Sequence, residues 1–337
     1  MHTSFLHDGS TTVSSGEPHA MPIVPESQEA STPSLCEVSS KDRSWDVHRY
    51  NTDVASSYYK ATEEYNGYAQ RMDFCSDLLQ FGLVPDTDVG TGELKLKLRS
   101  ARFCRVRTCD VCQWRRSLMW KAKAHKVIPK LVNDYPTARW LFLTLTVKNC
   151  HISELRSTLA HMKTSFARMA DRKAWPALGY VRATEVTRKE ADGTAHPHFH
   201  CLLMVNSNYF KGRGYIKQKE WQSLWRSCTR LDYDPVVDVR AVKKVDGAKS
   251  AIPEVFKYCT KSGDLLADRD WFLEYTRQMH NTRSISTGGI LKTYLRELEE
   301  EPEDLIGKDE EEQQFIDDEM SLYFGWKRQE KKYKLTD

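Results

Sequence analysis

The chain has 337 residues and a net charge of +3, which allows one large domain or two ordinary ones. No stretch approaches the roughly 18 apolar residues of a membrane span, and no basic and apolar leader opens the chain. We therefore expect a cytoplasmic protein with no membrane partner, whose nine cysteines are thiols or metal ligands rather than disulfides.

Composition divides the chain into four predicted segments. Residues 1–48 are rich in Ser, Thr, Pro, Glu and His without apolar periodicity, so we expect disorder there. Residues 49–135 combine helical spacing over 52–83 with the alternating strand pattern GELKLKLRSARFC, a cysteine cluster and a basic helix. Residues 136–300 alternate between strands and helices, and residues 301–337 predict an acidic, flexible tail.

Three cysteines crowd into the stretch FCRVRTCDVC. Cys109 and Cys112 have the Cys-x-x-Cys spacing of a zinc knuckle, and Cys104 is a candidate third ligand. The preceding helix and strand could return Cys75 to the same place as the fourth ligand. A structural zinc ion and three thiols packed in a core remain equally compatible with this pattern.

Strands and helices alternate from Ala138 onward. Strands are predicted at ARWLFLTLTV, 178–187, 196–205 and PVVDVRAVKKV, with amphipathic helices between and after them. Four strands with helices on one side predict an α+β fold with an antiparallel sheet. Helical stretches are also predicted at AIPEVFKYCTKSG, from Asp268 to Gln278, and from Gly289 to Leu298.

The strand HPHFHCLLMV places His196, His198 and His200 on one face, because side chains alternate along a strand. An Asp-Gly turn before it predicts a hairpin, with Glu185 opposite His200, or opposite His198 if the register shifts by two. Two imidazoles and a carboxylate would form an open site for a divalent cation. Solvated surface histidines are the alternative, and His196 at the strand edge is the least favoured ligand.

A second group of chemically suggestive residues lies in the predicted helix AIPEVFKYCTKSG. Glu254 and Tyr258 are four residues apart and share one helical face, and Lys257 and Lys261 have the same spacing. A tyrosine in such a helix is usually a core residue. A phenol can nevertheless attack phosphorus when cations stabilise the phenolate and the phosphate oxygens, and the two lysines could supply part of that charge.

Three motifs in order, FLTLTVKN, HPHFHCLLMV and EVFKYCTK, resemble those of the rolling-circle replication initiators of small Gram-positive plasmids. The resemblance covers about residues 70–300. It implies the HUH endonuclease fold, in which His198 and His200 bind the metal, Tyr258 is the nucleophile, and Glu254 lies one turn before it. Thr144 and Thr146 of the first motif would lie on a strand beside the histidines.

The resemblance implies nicking and rejoining of one strand at the plasmid's double-strand origin. Tyr258 would attack the scissile phosphodiester and keep the 5′ phosphate, a Mg²⁺ or Mn²⁺ ion would orient that phosphate, and Glu254 could activate water for the cleavage that ends replication. Origin DNA, extruded or locally melted, would be the substrate, with a host helicase and a single-strand-binding protein as partners. A mobilisation relaxase or transposase of the same fold, and a non-catalytic origin-binding protein, remain alternatives.

A DNA substrate bears on the basic helix QWRRSLMWKAKAHK that follows the cysteines. A solvated basic face is one explanation of its cations, and contact with DNA phosphates is the favoured one. The predicted phosphate contacts are Arg115, Arg116, Lys121 and Lys123.

Overall fold

A computed structural model of the protein describes residues 32–85, 94–211, 214–242, 265–296 and 321–336. The chain divides into two compact units, Met1–Thr32 and Pro33–Asp337, and every element named below lies in the second. The predicted helix carrying Glu254 and Tyr258, most of the predicted disordered segment, and residues 301–320 lie outside the described residues. None of the helices in the described ranges is both long and apolar enough to span a membrane.

The described elements are helices and antiparallel strands. The helices are α1 (Leu35–Val38), α2 (Ser44–Lys60), α3 (Asn66–Asp73), α4 (Asp110–Asp134), α5 (Leu155–Ala170), α6 (Gln218–Thr229), α7 (Arg269–Met279) and α8 (Ile290–Arg296). The strands are β1 (Leu78–Pro85), β2 (Leu94–Ala101), β3 (Arg139–Thr146), β4 (Ala177–Arg188), β5 (Ala195–Val205), β6 (Val237–Ala241), β7 (Ile285–Gly289), β8 (Ser321–Lys327) and β9 (Lys332–Thr336). Short 3₁₀ turns lie at Ser40–Arg43, Glu63–Tyr65, Ile152–Glu154 and Ser207–Phe210.

A five-stranded antiparallel sheet in the order β6-β3-β5-β4-β7 forms the centre of the protein. The four strands predicted from Ala138 onward are β3, β4, β5 and β6, so the prediction of an α+β fold with an antiparallel sheet is confirmed. The edge strand β7 was not predicted. Its sequence, ISTGG, is short and lacks the alternation of apolar and polar residues that identifies a half-buried strand.

Helices cover both faces of this sheet, although they were predicted on one side. On one face α5 and α6 pack against Phe199, whose ring lies 6.1 Å from Phe166 and 6.5 Å from Trp225 between centroids. On the other face, the C-terminal half of α4 and α8 bury Leu202 and Met204. The second cover forms because the CLLMV end of β5 is apolar on both faces, whereas the HPHFH end is apolar on one.

A second antiparallel sheet, in the order β2-β1-β8-β9, corrects two sequence expectations. Residues 78–83 were placed in the helical region 52–83 but form most of β1, where Leu79 and Phe81 are buried as strand alternation requires. Residues 321–336 were placed in the flexible tail but form a hairpin on β1, in which Phe324 and Tyr333 are fully buried.

The predicted disordered segment, residues 1–48, also extends too far along the sequence. Residues from Leu35 onward form α1, a 3₁₀ turn and the start of α2, and the side chains of Leu35 and Trp45 are each 1% exposed. These helices are held by contacts with distant segments. Trp45 packs edge-on against Trp114 of α4, at 4.8 Å between ring centroids, so local composition alone did not reveal them.

Candidate functional site

The histidine cluster (Glu185, His198 and His200) lies on one face of the β4–β5 hairpin. Of the two predicted registers, the structure has the one in which Glu185 pairs with His198. Lys189 and Thr194 close the hairpin with the loop 190–193 between them, a longer connection than a two-residue turn. Gly193 supplies the positive φ of 68° that this loop requires.

The three side chains of the histidine cluster converge on a single carboxylate oxygen. Oε2 of Glu185 lies 3.0 Å from Nε2 of His198 and 3.0 Å from Nε2 of His200. Glu185 is 2% exposed and each histidine 9%. His196 is not part of the cluster, because its Nδ1 faces Oδ1 of Asn149 at 2.7 Å.

The outer nitrogen of each histidine has a partner that fixes the ring. Nδ1 of His198 lies 3.1 Å from the backbone carbonyl of His196, and Nδ1 of His200 lies 3.2 Å from Oγ1 of Thr144. A carbonyl oxygen only accepts, so Nδ1 of His198 must carry the proton and a neutral ring presents a lone pair at Nε2. That lone pair faces a lone pair of the Glu185 carboxylate, and the two repel each other. A proton or a metal ion between the two atoms would remove the repulsion.

The spacing of the ligand atoms suits a divalent ion. Adjacent ligands of an octahedral ion, each at about 2.1 Å from it, lie about 3 Å apart, and the two Nε2–Oε2 distances are 3.0 Å. Burial by itself would raise the pKa of Glu185, but hydrogen bonds that protonated rings of His198 and His200 donate to the carboxylate outweigh burial and bring the pKa to about 2. The carboxylate is therefore ionised at neutral pH, as a metal ligand must be.

The cysteine cluster (Cys75, Cys104, Cys109 and Cys112) brings together the four predicted ligands. Its closest Sγ–Sγ distances are 3.5 Å between Cys75 and Cys109 and 3.6 Å from Cys112 to Cys75 and to Cys104. These separations are too long for disulfides and close to the about 3.8 Å between thiolates around a tetrahedral zinc ion. All four side chains are buried.

Backbone N–H groups point at the sulfurs of the cysteine cluster. The N–H of Arg105 donates to Sγ of Cys112 at 3.3 Å, and the N–H of Val106 donates to Sγ of Cys104 at 3.4 Å. Arg105 takes a positive φ of 56°, which a non-glycine residue adopts only when its surroundings hold it there. Hydrogen bonds among the thiols lower the pKa of Cys112, whose thiolate they favour, and raise the pKa of Cys75 and of Cys104, which hold their protons until a metal displaces them.

The four basic residues predicted to contact DNA lie on α4 in different surroundings. Arg115 lies against the indoles of Trp45 and Trp114, at 5.4 and 5.6 Å from their ring centroids, and burial lowers its pKa. Arg116 lines a cleft between α4 and β7. Lys121 is half-buried, and Nζ of Lys123 lies 6.0 Å from the Trp120 ring.

Comparison with known proteins decides the family. A family model described as "Replication protein" matches residues 95–334. "Protein rep" of Bacillus amyloliquefaciens is 33% identical over 323 residues, which covers 85% of this chain and 92% of the relative. The chain belongs to the plasmid replication initiator (Rep) family.

Other Rep proteins of Gram-positive bacteria are equally similar. "Protein rep" of Streptococcus pneumoniae is 32% identical over 265 residues, covering 77% of this chain and 81% of the relative. "Replication protein" of Staphylococcus aureus is 35% identical over 231 residues, covering 64% of this chain and 98% of the relative. No solved structure matches the chain.

The remaining predicted site residues lie outside the described part of this Rep protein. They are Glu254, Lys257, Tyr258 and Lys261. Within the described part, Thr144 was not named as a site residue, although the resemblance implied a strand position for it beside the histidines. Its position opposite His200 in the β3–β5 pair brings its hydroxyl to the histidine ring. The resemblance implied the neighbouring strand, but only the structure shows that the Thr144 hydroxyl reaches Nδ1 of His200.

Proposed function

We propose that this Rep protein nicks one strand at the double-strand origin of its plasmid, through a covalent 5′-phosphotyrosine at Tyr258, and rejoins the strand at termination. The observation that carries the proposal is the histidine cluster. A carboxylate and two imidazoles converge on one point of a sheet face and supply three ligands, which leaves room around a divalent ion for a substrate oxygen. The two-histidine strand in an antiparallel sheet also supports an HUH endonuclease fold.

The charge of the histidine cluster suits a phosphate substrate. A Mg²⁺ or Mn²⁺ ion bound there would act as a Lewis acid on the scissile phosphate. Glu185 contributes one negative charge and the two neutral imidazoles none, so the loaded site keeps a net positive charge that attracts a phosphodiester. The backbone carbonyl of His196 and the hydroxyl of Thr144 hold the two rings in place.

Tyr258 is the proposed nucleophile for the first cleavage. Its phenolate oxygen forms a bond to phosphorus while the bond from phosphorus to the 3′ oxygen breaks, and that oxygen takes a proton to become the primer hydroxyl. Lys257 and Lys261 would stabilise the phenolate and the phosphate oxygens. Unwinding from the nick then requires a helicase and a single-strand-binding protein, which the host would supply.

Glu254 has a separate proposed role at termination. One helical turn from Tyr258 in the predicted helix, its carboxylate can take a proton from water for the second cleavage. Phenolate attack does not need this carboxylate if metal and lysines stabilise the phenolate. The first and second cleavages should therefore respond differently to loss of Glu254.

The cysteine cluster holds a structural zinc ion in this proposal. Four thiolates complete a tetrahedral shell, which closes the site to water and substrate. The cluster joins residues that follow α3, residues that follow β2, and the start of α4. Zinc would thus tie the N-terminal helices to the second sheet.

Mapping of a covalent adduct tests the nucleophile. The full chain is incubated with supercoiled plasmid carrying its own origin and Mg²⁺ or Mn²⁺, and DNA-linked peptides are identified by mass spectrometry. We expect a linked peptide containing Tyr258, and no adduct from Tyr258→Phe, because the attacking oxygen is missing. Tyr215→Phe, which removes an exposed hydroxyl, is the matched control. An adduct on another residue, or full nicking by Tyr258→Phe, would contradict the proposal.

Separate assays of nicking and termination test Glu254. Glu254→Ala should still nick supercoiled plasmid but accumulate strands longer than one plasmid unit. If Glu254 is instead a metal ligand, the variant should lose the first cleavage as completely as a histidine variant does. Normal termination by Glu254→Ala would exclude both roles.

A further inference from the structure

A basic cleft of about 650 Å³ lies beside the histidine cluster, between the loop that follows Cys104, the N-terminal half of α4, and the segment from Thr282 through β7 to α8. Its cations come from three separate stretches of sequence. They are Arg105, Arg107, Arg116, Arg283, Lys292 and Arg296. None of the described residues that line the basic cleft is acidic.

The remaining lining of the basic cleft suits a phosphodiester chain. Gln113, Arg116, Ser117 and Trp120 recur at the spacing of one helical face of α4 and line one wall. Hydroxyl groups of serines and threonines line the opposite wall around β7. Cations that follow a groove, hydroxyl donors and an aromatic ring for stacking are the features with which proteins hold single-stranded nucleic acid.

The position of the basic cleft relates it to the proposed nicking site. Ala183 of β4 pairs with His200 on one side and with Ile285, which lines the cleft, on the other. Neighbouring strands lie about 4.8 Å apart, so Ile285 is about 10 Å from His200 along the same face of the sheet. A strand whose phosphate sits at the histidine cluster can therefore enter the cleft within a few nucleotides.

The cysteine cluster positions one wall of the basic cleft. Arg105 and Arg107 lie between two of its ligands, Cys104 and Cys109, and the N–H of Arg105 donates to Cys112. The Arg107 guanidinium donates to the carbonyl of Thr282 and, at 2.7 Å, to the hydroxyl of Ser284. The cleft is thus braced across its two walls before any ligand binds.

We infer that the basic cleft binds the phosphodiester backbone of the single strand that flanks the nick, an inference that rests on the proposed nicking function. The summed positive charge of the six cations that line the basic cleft attracts an extended polyanion. Lys292 and Arg296, one helical turn apart and both exposed on α8, present their charges to such a strand.

Binding of a labelled oligothymidylate of about 20 nucleotides, followed by fluorescence anisotropy, tests the inference independently of nicking. Lys292→Ala with Arg296→Ala should raise the Kd about tenfold or more at low salt and reduce the slope of log Kd against log salt by roughly 1 to 1.5. Lys292→Arg with Arg296→Lys should keep the Kd of the unaltered protein, because both charges remain. The control is Arg172→Ala with Lys173→Ala, two exposed cations just after α5, which covers the opposite face of the sheet.

Three outcomes would overturn the inference. The first is an unchanged Kd and salt slope in the Lys292/Arg296 variant. The second is an equal loss of affinity for the oligothymidylate in the Arg172/Lys173 control. The third is an equal loss of affinity of the Lys292/Arg296 variant for a duplex of the same length, which would indicate a general DNA-binding surface. Failure of the nicking proposal looks different. In that case no adduct would form on Tyr258, but the Lys292/Arg296 variant would still bind the oligothymidylate more weakly than the unaltered protein.

Discussion

The cysteine cluster and the histidine cluster differ in how many ligands the protein supplies and where they come from. Four thiols from three places in the sequence enclose the first, whereas a carboxylate and two imidazoles from one hairpin form the second. Four protein ligands leave a tetrahedral ion no free position, and three ligands leave an ion free to bind substrate. Ligand number thus separates a site suited to stability from one suited to chemistry.

The surroundings of the two clusters support the same distinction. Backbone N–H groups of Arg105 and Val106 point at the sulfurs of the cysteine cluster and stabilise negative charge there. In the histidine cluster, the His196 carbonyl and the Thr144 hydroxyl contact the Nδ1 atoms of the two rings. These contacts orient the Nε2 atoms toward Glu185. The first arrangement fixes a loop, and the second orients ligands toward a shared point.

Loss of a histidine ligand should have the largest effect on activity. His198→Ala or His200→Ala should lower metal-dependent nicking by roughly 10²-fold or more, because each would supply one of the three ligands of the proposed metal site. Zinc content should stay unchanged, since the cysteine cluster is separate. His196→Ala, on the same strand but outside the cluster, is the control for both assays. Full nicking by both ligand variants in ordinary Mg²⁺ would remove the distinction between the sites.

Loss of a cysteine ligand should mainly lower stability. Cys109→Ser should abolish the expected one tightly bound zinc and lower the Tm by more than about 10 °C, because binding of a structural zinc contributes many kcal/mol to folding. Metal analysis and thermal unfolding measure the two effects. Cys228→Ala, which removes a fully buried thiol outside the cluster, should keep the zinc. Protein purified without chelator that contains no zinc would contradict a zinc site.

Loss of a hydroxyl beside the histidine cluster should have a moderate effect. Thr144→Val removes the partner of His200 Nδ1, so the metal concentration for half-maximal nicking should rise about tenfold. The rate at saturating metal should change little, because the ligands themselves remain. Thr184→Val, whose side chain lies on the opposite face of the hairpin, is the control. An equal loss of the saturated rate in both variants would indicate a structural role for Thr144.

Loss of one hydroxyl near the cysteine cluster should have the smallest effect. The Tyr333 hydroxyl donates to the carbonyl of Ser76 at 2.6 Å, directly after Cys75. Tyr333→Phe should reduce the free energy of unfolding by about 1–3 kcal/mol because a buried carbonyl loses its donor, and zinc should be retained. Chemical denaturation and metal analysis measure both quantities. A loss of zinc in this variant would show that the C-terminal hairpin is needed to form the site.

Local patterns predicted the centre of the fold and several residues of each cluster. Alternation in HPHFHCLLMV placed His198 and His200 on one face, and spacing identified Cys109 and Cys112, because both rules depend on backbone geometry within a few residues. The hairpin register remained open between two values. The choice depended on the length of the loop, which an Asp-Gly pair alone does not fix.

Tertiary structure alone decided the rest, since it depends on contacts between residues far apart in sequence. β8 and β9 form because Phe324 and Tyr333 find a buried place on β1, more than two hundred residues earlier, although their flanking composition predicts a flexible tail. The basic cleft collects cations from the loop that follows Cys104, from α4, from Arg283 before β7 and from α8, and only the basic stretch of α4 stood out in the sequence. Sequence determines which side chains an element can present. Only the packing of elements determines which of them meet, because that choice is set by burial of apolar surface shared between distant segments.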